Sequence, residues 1–286
     1  MNWKIGRSLL FAVPLLFAGQ AWAATEFKIG SDTASVRDRV VSSGPIKVNI
    51  SFDPISFDKP NAPTEDNLKY EIFYNNQSKI SDVATTFYTG EVSLKDLDAD
   101  GTAEVLVETF TGGAHCCTNT LIYTWRNNQF VKVDAGTRDG GGGNFVDIDD
   151  DGKLEFATFD QSFLYLFSSY AGSYPPSNIY DFKNGRLVDT TRQYPKYLRS
   201  TAWKMYQALV ESKKNEGEIN GILAGYVAQK ALLGEFEEGW KLMLANYDRS
   251  SDWGFDIYDK NGKVIGRHPD FPSALRAHLK ATGYIK

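Results

Sequence analysis

The chain has 286 residues, 42% of them apolar and 14% aromatic, and carries a formal net charge of -5. That length and composition exclude a disordered chain and leave room for one large or two ordinary domains. An acidic balance without a basic run excludes nucleic acid as an expected partner.

The first 23 residues stand apart from the rest. Lys4 and Arg7 precede an apolar run from Leu9 to Ala18, and Ala21-Trp22-Ala23 forms a small-x-small pattern, so a signal peptide cut before Ala24 is expected. The apolar run is short for a membrane anchor, and no Cys follows the cut to carry a lipid. No later segment could span a bilayer, so the mature chain is expected to be periplasmic or secreted. Loss of Lys4 and Arg7 takes its charge to about -7.

From Glu26 to about Val40 the sequence is polar and predicts no element. Alternation starts at Ile46 and runs to Phe52, and Asp58 to Asp66, with two Pro, predicts a loop. Lys69 to Tyr74, the pair Asn75-Asn76 and Ser78 to Ile80 predict a hairpin.

Next comes Asp96-Leu97-Asp98-Ala99-Asp100-Gly101-Thr102-Ala103-Glu104, with a near copy in Asp147-Ile148-Asp149-Asp150-Asp151-Gly152-Lys153-Leu154-Glu155. Each has carboxylates at positions 1, 3 and 5, Gly at 6 where the chain must turn, and Glu at 9. The candidate metal ligands are the side chains of Asp96, Asp98, Asp100 and Glu104 with the Thr102 carbonyl, and those of Asp147, Asp149, Asp151 and Glu155 with the Lys153 carbonyl. Hard oxygen ligands on a flexible loop suit calcium, so one or two Ca2+ ions are expected. An EF-hand is excluded because its twelfth position, a bidentate Glu, is Val107 in one loop and Thr158 in the other. The flanks are β-branched and aromatic, which places both loops between strands. The competing reading is a pair of plain polar turns.

The hairpin signal recurs at Asn127-Asn128 and at Asn184-Gly185. Asn76 to Asn128 is 52 residues, Asn128 to Asn184 is 56, and Asp96 to Asp147 is 51, which together make an internal repeat. Two full units, roughly Glu91 to Asp134 and Asn144 to Thr190, each predict a four-stranded antiparallel meander, and Lys47 to Tyr88 predicts a partial third. The two D-x-D-x-D-G-x-x-E segments in strand-rich repeats resemble the FG-GAP or VCBS repeats of integrin-type β-propellers. That resemblance implies propeller-like blades; with two and a part of them, a small open β-structure is as much expected as a ring.

Thr111-Gly112-Gly113-Ala114-His115-Cys116-Cys117-Thr118 holds both Cys of the chain. Adjacent Cys in a regular strand point to opposite faces and cannot bridge there. Three readings stand open: a vicinal disulfide between Cys116 and Cys117 in a turn, two buried thiols, and a His-Cys-Cys metal or redox site. The segment is similar to one in a group of exported bacterial repeat proteins, β-rich relatives of which inhibit lysozyme-like peptidoglycan hydrolases. This implies a cell-wall hydrolase as partner but carries over no residue. The Ser-Gly-x-x-Tyr motif of one such inhibitor family is absent, the nearest stretch being Tyr170-Ala171-Gly172-Ser173-Tyr174.

Gly140 to Gly143 lack a following Lys-Ser or Lys-Thr pair and predict a flexible turn, not a phosphate cradle. Ser168 to Pro176 reads either as a contact loop or as an ordinary covered one. After Pro195 the period becomes helical: Leu198 to Val210, Ile219 to Leu233 and Glu235 to Ala245 predict helices, with a break from Asn215 to Glu218. Ala228 to Leu242 resembles one tetratricopeptide hairpin, which cannot bury its own face and is expected to pack on the β part; the competing reading is ordinary helical packing. Phe255 to Tyr258, Asn261-Gly262 and Lys263 to Ile265 predict a last hairpin, and Pro272 to Ala281 a last helix. His268 and His278 read as structural or exposed.

The expected fold is therefore α+β: a signal peptide over 1–23, a β-rich repeat domain over 24–194, and a mostly helical region over 195–286. No nucleophile elbow, zinc-protease helix or nucleotide fingerprint is present, so no catalytic residue is assigned. The expected function is a calcium-stabilised exported module that binds a protein or glycan partner, such as a peptidoglycan hydrolase. The alternatives are a glycan- or peptidoglycan-acting enzyme with structural calcium and an assembly component.

Overall fold

The computed structural model describes residues 24–56, 58 and 62–286, so the expected signal peptide and residues 59–61 of the expected loop from Asp58 to Asp66 lie outside the described residues. After β1 (Glu26–Ile29) the chain makes three antiparallel meanders in which sequential strands pair. The first is β2 (Val36–Ser43), β3 (Ile46–Phe52), β4 (Leu68–Tyr74) and β5 (Gln77–Ala84). The second is β6 (Gly90–Lys95), β7 (Glu104–Phe110), β8 (Cys116–Arg126) and β9 (Gln129–Asp139), with β1 added at its β6 edge. The third is β10 (Asn144–Val146), β11 (Glu155–Phe159), β12 (Ser177–Phe182) and β13 (Leu187–Asp189).

The tight turns that close the meanders follow from their residues. Asn75 and Asn76 have φ of 48° and 62°, Asn127 and Asn128 of 50° and 63°, and Asn184 and Gly185 of 53° and 72°. Positive φ at both central residues is what the twist of a hairpin demands, and Asn and Gly reach it at least cost.

Two expectations for the N-terminal part are corrected. Glu26 to Val40 is not featureless, since it supplies β1 and the first five residues of β2; and the first unit, expected to be partial over Lys47 to Tyr88, is a complete four-stranded sheet. The physical reason is that β2 is an edge strand, exposed from Arg37 to Val40 and bulged between Val36 and Arg39, so no alternation marks it. The four-residue β1 owes its place to β6, whose Gly90 to Ser93 pair with Ile29 to Glu26.

The meanders stack as layers. Ile46, Val48, Ile50, Leu68 and Ile72 of the first sheet pack on Val92, Val105 and Val107 of the second. The opposite face of the second sheet, with Leu106 and Ile122, packs on Phe156 and Phe182 of the third. A sheet covered on both sides explains why β7 reads Val105-Leu106-Val107 without a polar break. Among the described residues no sheet closes into a barrel or ring.

Helices cover the far side of the third sheet, where Ile179 meets Tyr194, Leu198 and Leu232. They are α1 (Pro195–Lys214), α2 (Asn220–Leu232), α3 (Phe236–Asn246) and α4 (Phe271–Ala281), with the hairpin β14 (Asp256–Tyr258) and β15 (Val264–Arg267) between the last two. Every residue of α2 from Asn220 to Ala231 is buried, the mark of a helix surrounded by protein. Phe163 and Phe167, from the segment between β11 and β12, join Ile222, Val227, Leu275 and Leu279 in one core. The face of α2 and α3 is thus covered by that segment and by α4. No described helix is long and apolar enough to cross a membrane.

Candidate metal centres

The acidic segments form the turns between β6 and β7 and between β10 and β11, and each is shaped by its own side chains. Asp96 accepts the backbone N–H of Asp100 at 3.1 Å and of Gly101 at 2.9 Å; Asp147 does the same for Asp151 at 3.1 Å and Gly152 at 2.9 Å. Glu104 accepts the N–H of Leu97 at 2.9 Å, and Glu155 that of Ile148 at 2.9 Å. Gly101 and Gly152 both have φ of 87°, which a Cβ would oppose. The two loops are also joined to each other, as Leu154 N–H donates to the Leu97 carbonyl at 3.0 Å.

Within each loop three carboxylates converge. One oxygen each from Asp96, Asp98 and Glu104 lies within 4.8 Å of the others, and the same holds for Asp147, Asp149 and Glu155. Asp100 and Asp151, which the spacing placed with them, stand outside these triads. Each spends an oxygen on the N–H of Thr102 at 2.8 Å or of Lys153 at 2.9 Å. The Lys153 ammonium also bonds Asp151 at 2.6 Å and holds that carboxyl below its usual range.

Burial sets the electrostatics. Glu104 is 2% exposed, and desolvation raises its pKa to about 7 against the bonds from Leu97 N–H and Thr124. Burial also raises Glu155, and raises Asp98 with help from the neighbouring Asp100 charge. Arg126 reaches Asp98 Oδ2 at 2.7 Å, while Asp98 Oδ1 is buried and has no hydrogen-bond partner.

Four residues around the triads escaped the sequence reading. Thr124 donates to Glu104 at 2.9 Å and Arg126 pairs with Asp98; in the second unit the positions at the same offset from the hairpin turn are Asp181 and Lys183. Asp181 accepts Tyr194 OH at 2.7 Å and pairs with Lys183 at 2.6 Å, and with Glu155 and Asp149 it lines a cleft of about 230 Å³. Their fixed offset from Asn127 and Asn184 is the signal that could have found them.

The remaining candidates lie elsewhere. Cys116 and Cys117 have their Cα atoms 3.0 Å apart across a cis peptide, with the two sulfurs in mutual contact. The third group of that cluster is Asp139, whereas the His115 ring stacks on Tyr170 with centroids 4.3 Å apart. Gly140 to Gly143 connect two strands and open no helix, so they offer no phosphate cradle. The loop from Ser168 to Pro176 is fastened to the connection between α1 and α2, as the N–H and hydroxyl of Ser169 both reach Glu218 at 2.8 Å. His278 lies against the rings of Phe163 and Phe167 with Ser162 Oγ at 3.2 Å.

A family model described as the sll0997 C-terminal domain matches residues 198–283, a span that runs from α1 to just past α4 and leaves out both acidic loops. The probable thylakoid lumen protein sll0997 of Synechocystis sp. is 40% identical over 206 residues, which is 68% of this chain and 60% of that protein. The uncharacterized protein y4bJ of Sinorhizobium fredii is 37% identical over 209 residues, 68% of this chain and 32% of that protein. The chain thus spans less than two thirds of the length of either relative. No solved structure matches it.

Proposed function

We propose that the protein is a calcium-stabilised binding module working in an exported compartment, with one or two Ca2+ ions held by the triads of Asp96, Asp98 and Glu104 and of Asp147, Asp149 and Glu155. The observation that carries this is the pairing of Glu104, a carboxylate 2% exposed, with Asp98 Oδ1, a buried oxygen that bonds nothing. A hard divalent cation bonds such an oxygen and keeps buried carboxylates ionised. Three sequential meanders, two of them with the acidic loop at the same corner, support the FG-GAP or VCBS reading as an open stack of blade-like sheets. The lumenal name of the cyanobacterial relative supports an exported location. The partner is a protein or a glycan, with a peptidoglycan hydrolase as the protein to try first.

Calorimetry tests the metal. Saturation at a hundred times the dissociation constant adds about 2.7 kcal/mol, and a domain of this size gains roughly 2–4 °C per kcal/mol. Millimolar calcium is therefore expected to raise the melting temperature by several degrees and a chelator to reverse it. A transition indifferent to both removes the calcium reading. For the hydrolase, the protein should slow the clearing of a cell-wall suspension by lysozyme; an unchanged clearing rate excludes that partner.

A further inference from the structure

Stretches that the metal loops leave unused meet at the opposite end of the second sheet. There a cleft of about 470 Å³ is lined by Lys28, Glu91, Glu108, Phe110, His115 and Gly141, among others. Strand pairing sets Lys28, Glu91, Glu108 and Thr120 in one row across β1, β6, β7 and β8. The next row along the strands, Ser93, Leu106 and Ile122, is at most 2% exposed, and its Leu106 and Ile122 pack under the third sheet. One step further out, Lys28, Glu91 and Glu108 line the cleft, while Thr120 at the end of the row is 1% exposed.

Two carboxylates, Glu91 and Glu108, stand side by side on this wall, with ammonium groups around Glu91. Glu91 has Lys28 Nζ at 3.9 Å on one side and Lys95 Nζ at 4.0 Å on the other. Glu108 has no ion pair among the described residues, and its one side-chain bond is a long one of 3.4 Å from Thr120 Oγ1. The facing wall is main chain: Gly140 N–H donates to the His115 carbonyl at 2.9 Å, and Thr118 Oγ1 donates to the Gly140 carbonyl at 2.8 Å. At Gly141 an added Cβ would meet nothing within 4 Å. His115 of the lining is backed by Tyr170, on whose ring it stacks, and Tyr170 OH is held by Asp139 at 2.5 Å.

We infer that this cleft binds the hydroxyl-rich chain of a glycan. Two carboxylate acceptors, Glu91 and Glu108, stand beside the Lys28 ammonium donor on one side, and the hydroxyls of a sugar ring can serve as donor to the first and acceptor to the second. The Phe110 ring and the His115–Tyr170 pair give flat apolar surfaces for the C–H faces of such a ring, and a few convergent polar groups in an apolar cleft are what fix a small ligand's orientation. Lysines flanking Glu91 keep the row from demanding a metal, and the two glutamates disfavour a polyanion. The inference rests on the binding-module reading and names its ligand class and site.

Saturation-transfer NMR on the full chain in calcium, with N-acetylchitotetraose and cellotetraose as millimolar probes, tests it. Saturation is expected to reach at least one of the two sugars. Gly141→Leu, which fills the open wall, and Glu108→Gln, which keeps the volume but exchanges an acceptor for a donor, should each weaken binding about tenfold or more with the melting temperature kept. If one variant fails to fold, the other decides. No transfer to either sugar, while the calcium shift in melting persists, overturns the cleft and leaves the calcium reading standing. Binding that survives both substitutions places the sugar elsewhere and overturns the assignment. Sugar binding in a protein indifferent to calcium supports the cleft and sinks only the metal.

Discussion

Single side chains hold the first two sheets together through a polar line inside an apolar interface. Tyr70 and Tyr123 share a hydroxyl bond of 2.8 Å, and Asp82 Oδ2 accepts from Tyr123 at 2.8 Å and Lys132 at 3.0 Å. Burial alone would raise the Asp82 carboxyl, but the Lys132 and Tyr123 bonds outweigh it and hold the pKa below 3.8. A folded-state value below the unfolded one stabilises above the unfolded pKa and is lost as pH falls through the folded value. Asp82→Asn is therefore expected to cost about 1–3 kcal/mol at neutral pH and to flatten the acid limb of a urea-denaturation series. His278 follows the same sign for a different cause, since burial pushes it below 6.5. It favours the fold above that pH and opposes it as the pH drops further. His278→Gln, which keeps a partner for Ser162, should remove the mild-acid loss of stability in that same series.

Elements were the scale at which local chemistry was most readable. In the second acidic loop one carboxylate shapes the turn and another only faces the ligand space. Asp147 accepts two backbone N–H groups, whereas Asp149 makes no hydrogen bond among the described residues. Asp147→Ala should destabilise the chelated protein by about 1–3 kcal/mol per lost bond to a charged acceptor and abolish the calcium shift from this loop. Asp149→Asn should reduce the calcium shift while leaving melting in chelator unchanged; equal effects of both on the chelated protein would contradict this division. Helix α2 makes a second element-scale prediction. A Cβ on Gly225 would sit 1.6 Å from the Tyr174 carbonyl oxygen, so the helix lies on that loop by backbone approach. Gly225→Ala should cost about 3 kcal/mol, read as a lower urea midpoint. The hairpins, loops and helices were legible because periodicity and turn residues are local. β1 and β2 were not, because an edge strand is defined by its neighbour.

Across the whole molecule the order of layers is first sheet, second sheet, third sheet, helices. The last junction hangs on Gln229, which is 0% exposed. Its amide accepts Ser177 N–H at 2.9 Å and donates to Ser177 Oγ at 3.1 Å and the Leu198 carbonyl at 3.1 Å, so one side chain joins β12, α1 and α2. A continuous stack should unfold in one step, with fluorescence and circular dichroism coincident. Gln229→Leu strands buried partners and should cost about 1–3 kcal/mol for each unpaired group, with the helical signal lost ahead of the rest. Coincident transitions in that variant would show that the junction does not depend on this residue.

What the sequence determined alone is whatever its neighbours could settle. The bonds that shape each acidic loop span at most seven residues, from Leu97 to Glu104 and from Ile148 to Glu155, so their spacing was readable in the chain. Tertiary structure alone decided which faces meet. Alternation says that Val105 and Leu106 point opposite ways, but not that one meets the first sheet and the other the third. The Tyr70–Tyr123 bond closes over 53 residues, and the row from Lys28 to Thr120 gathers four strands. Such contacts are chosen by the fit of distant surfaces, a property no local window of sequence contains.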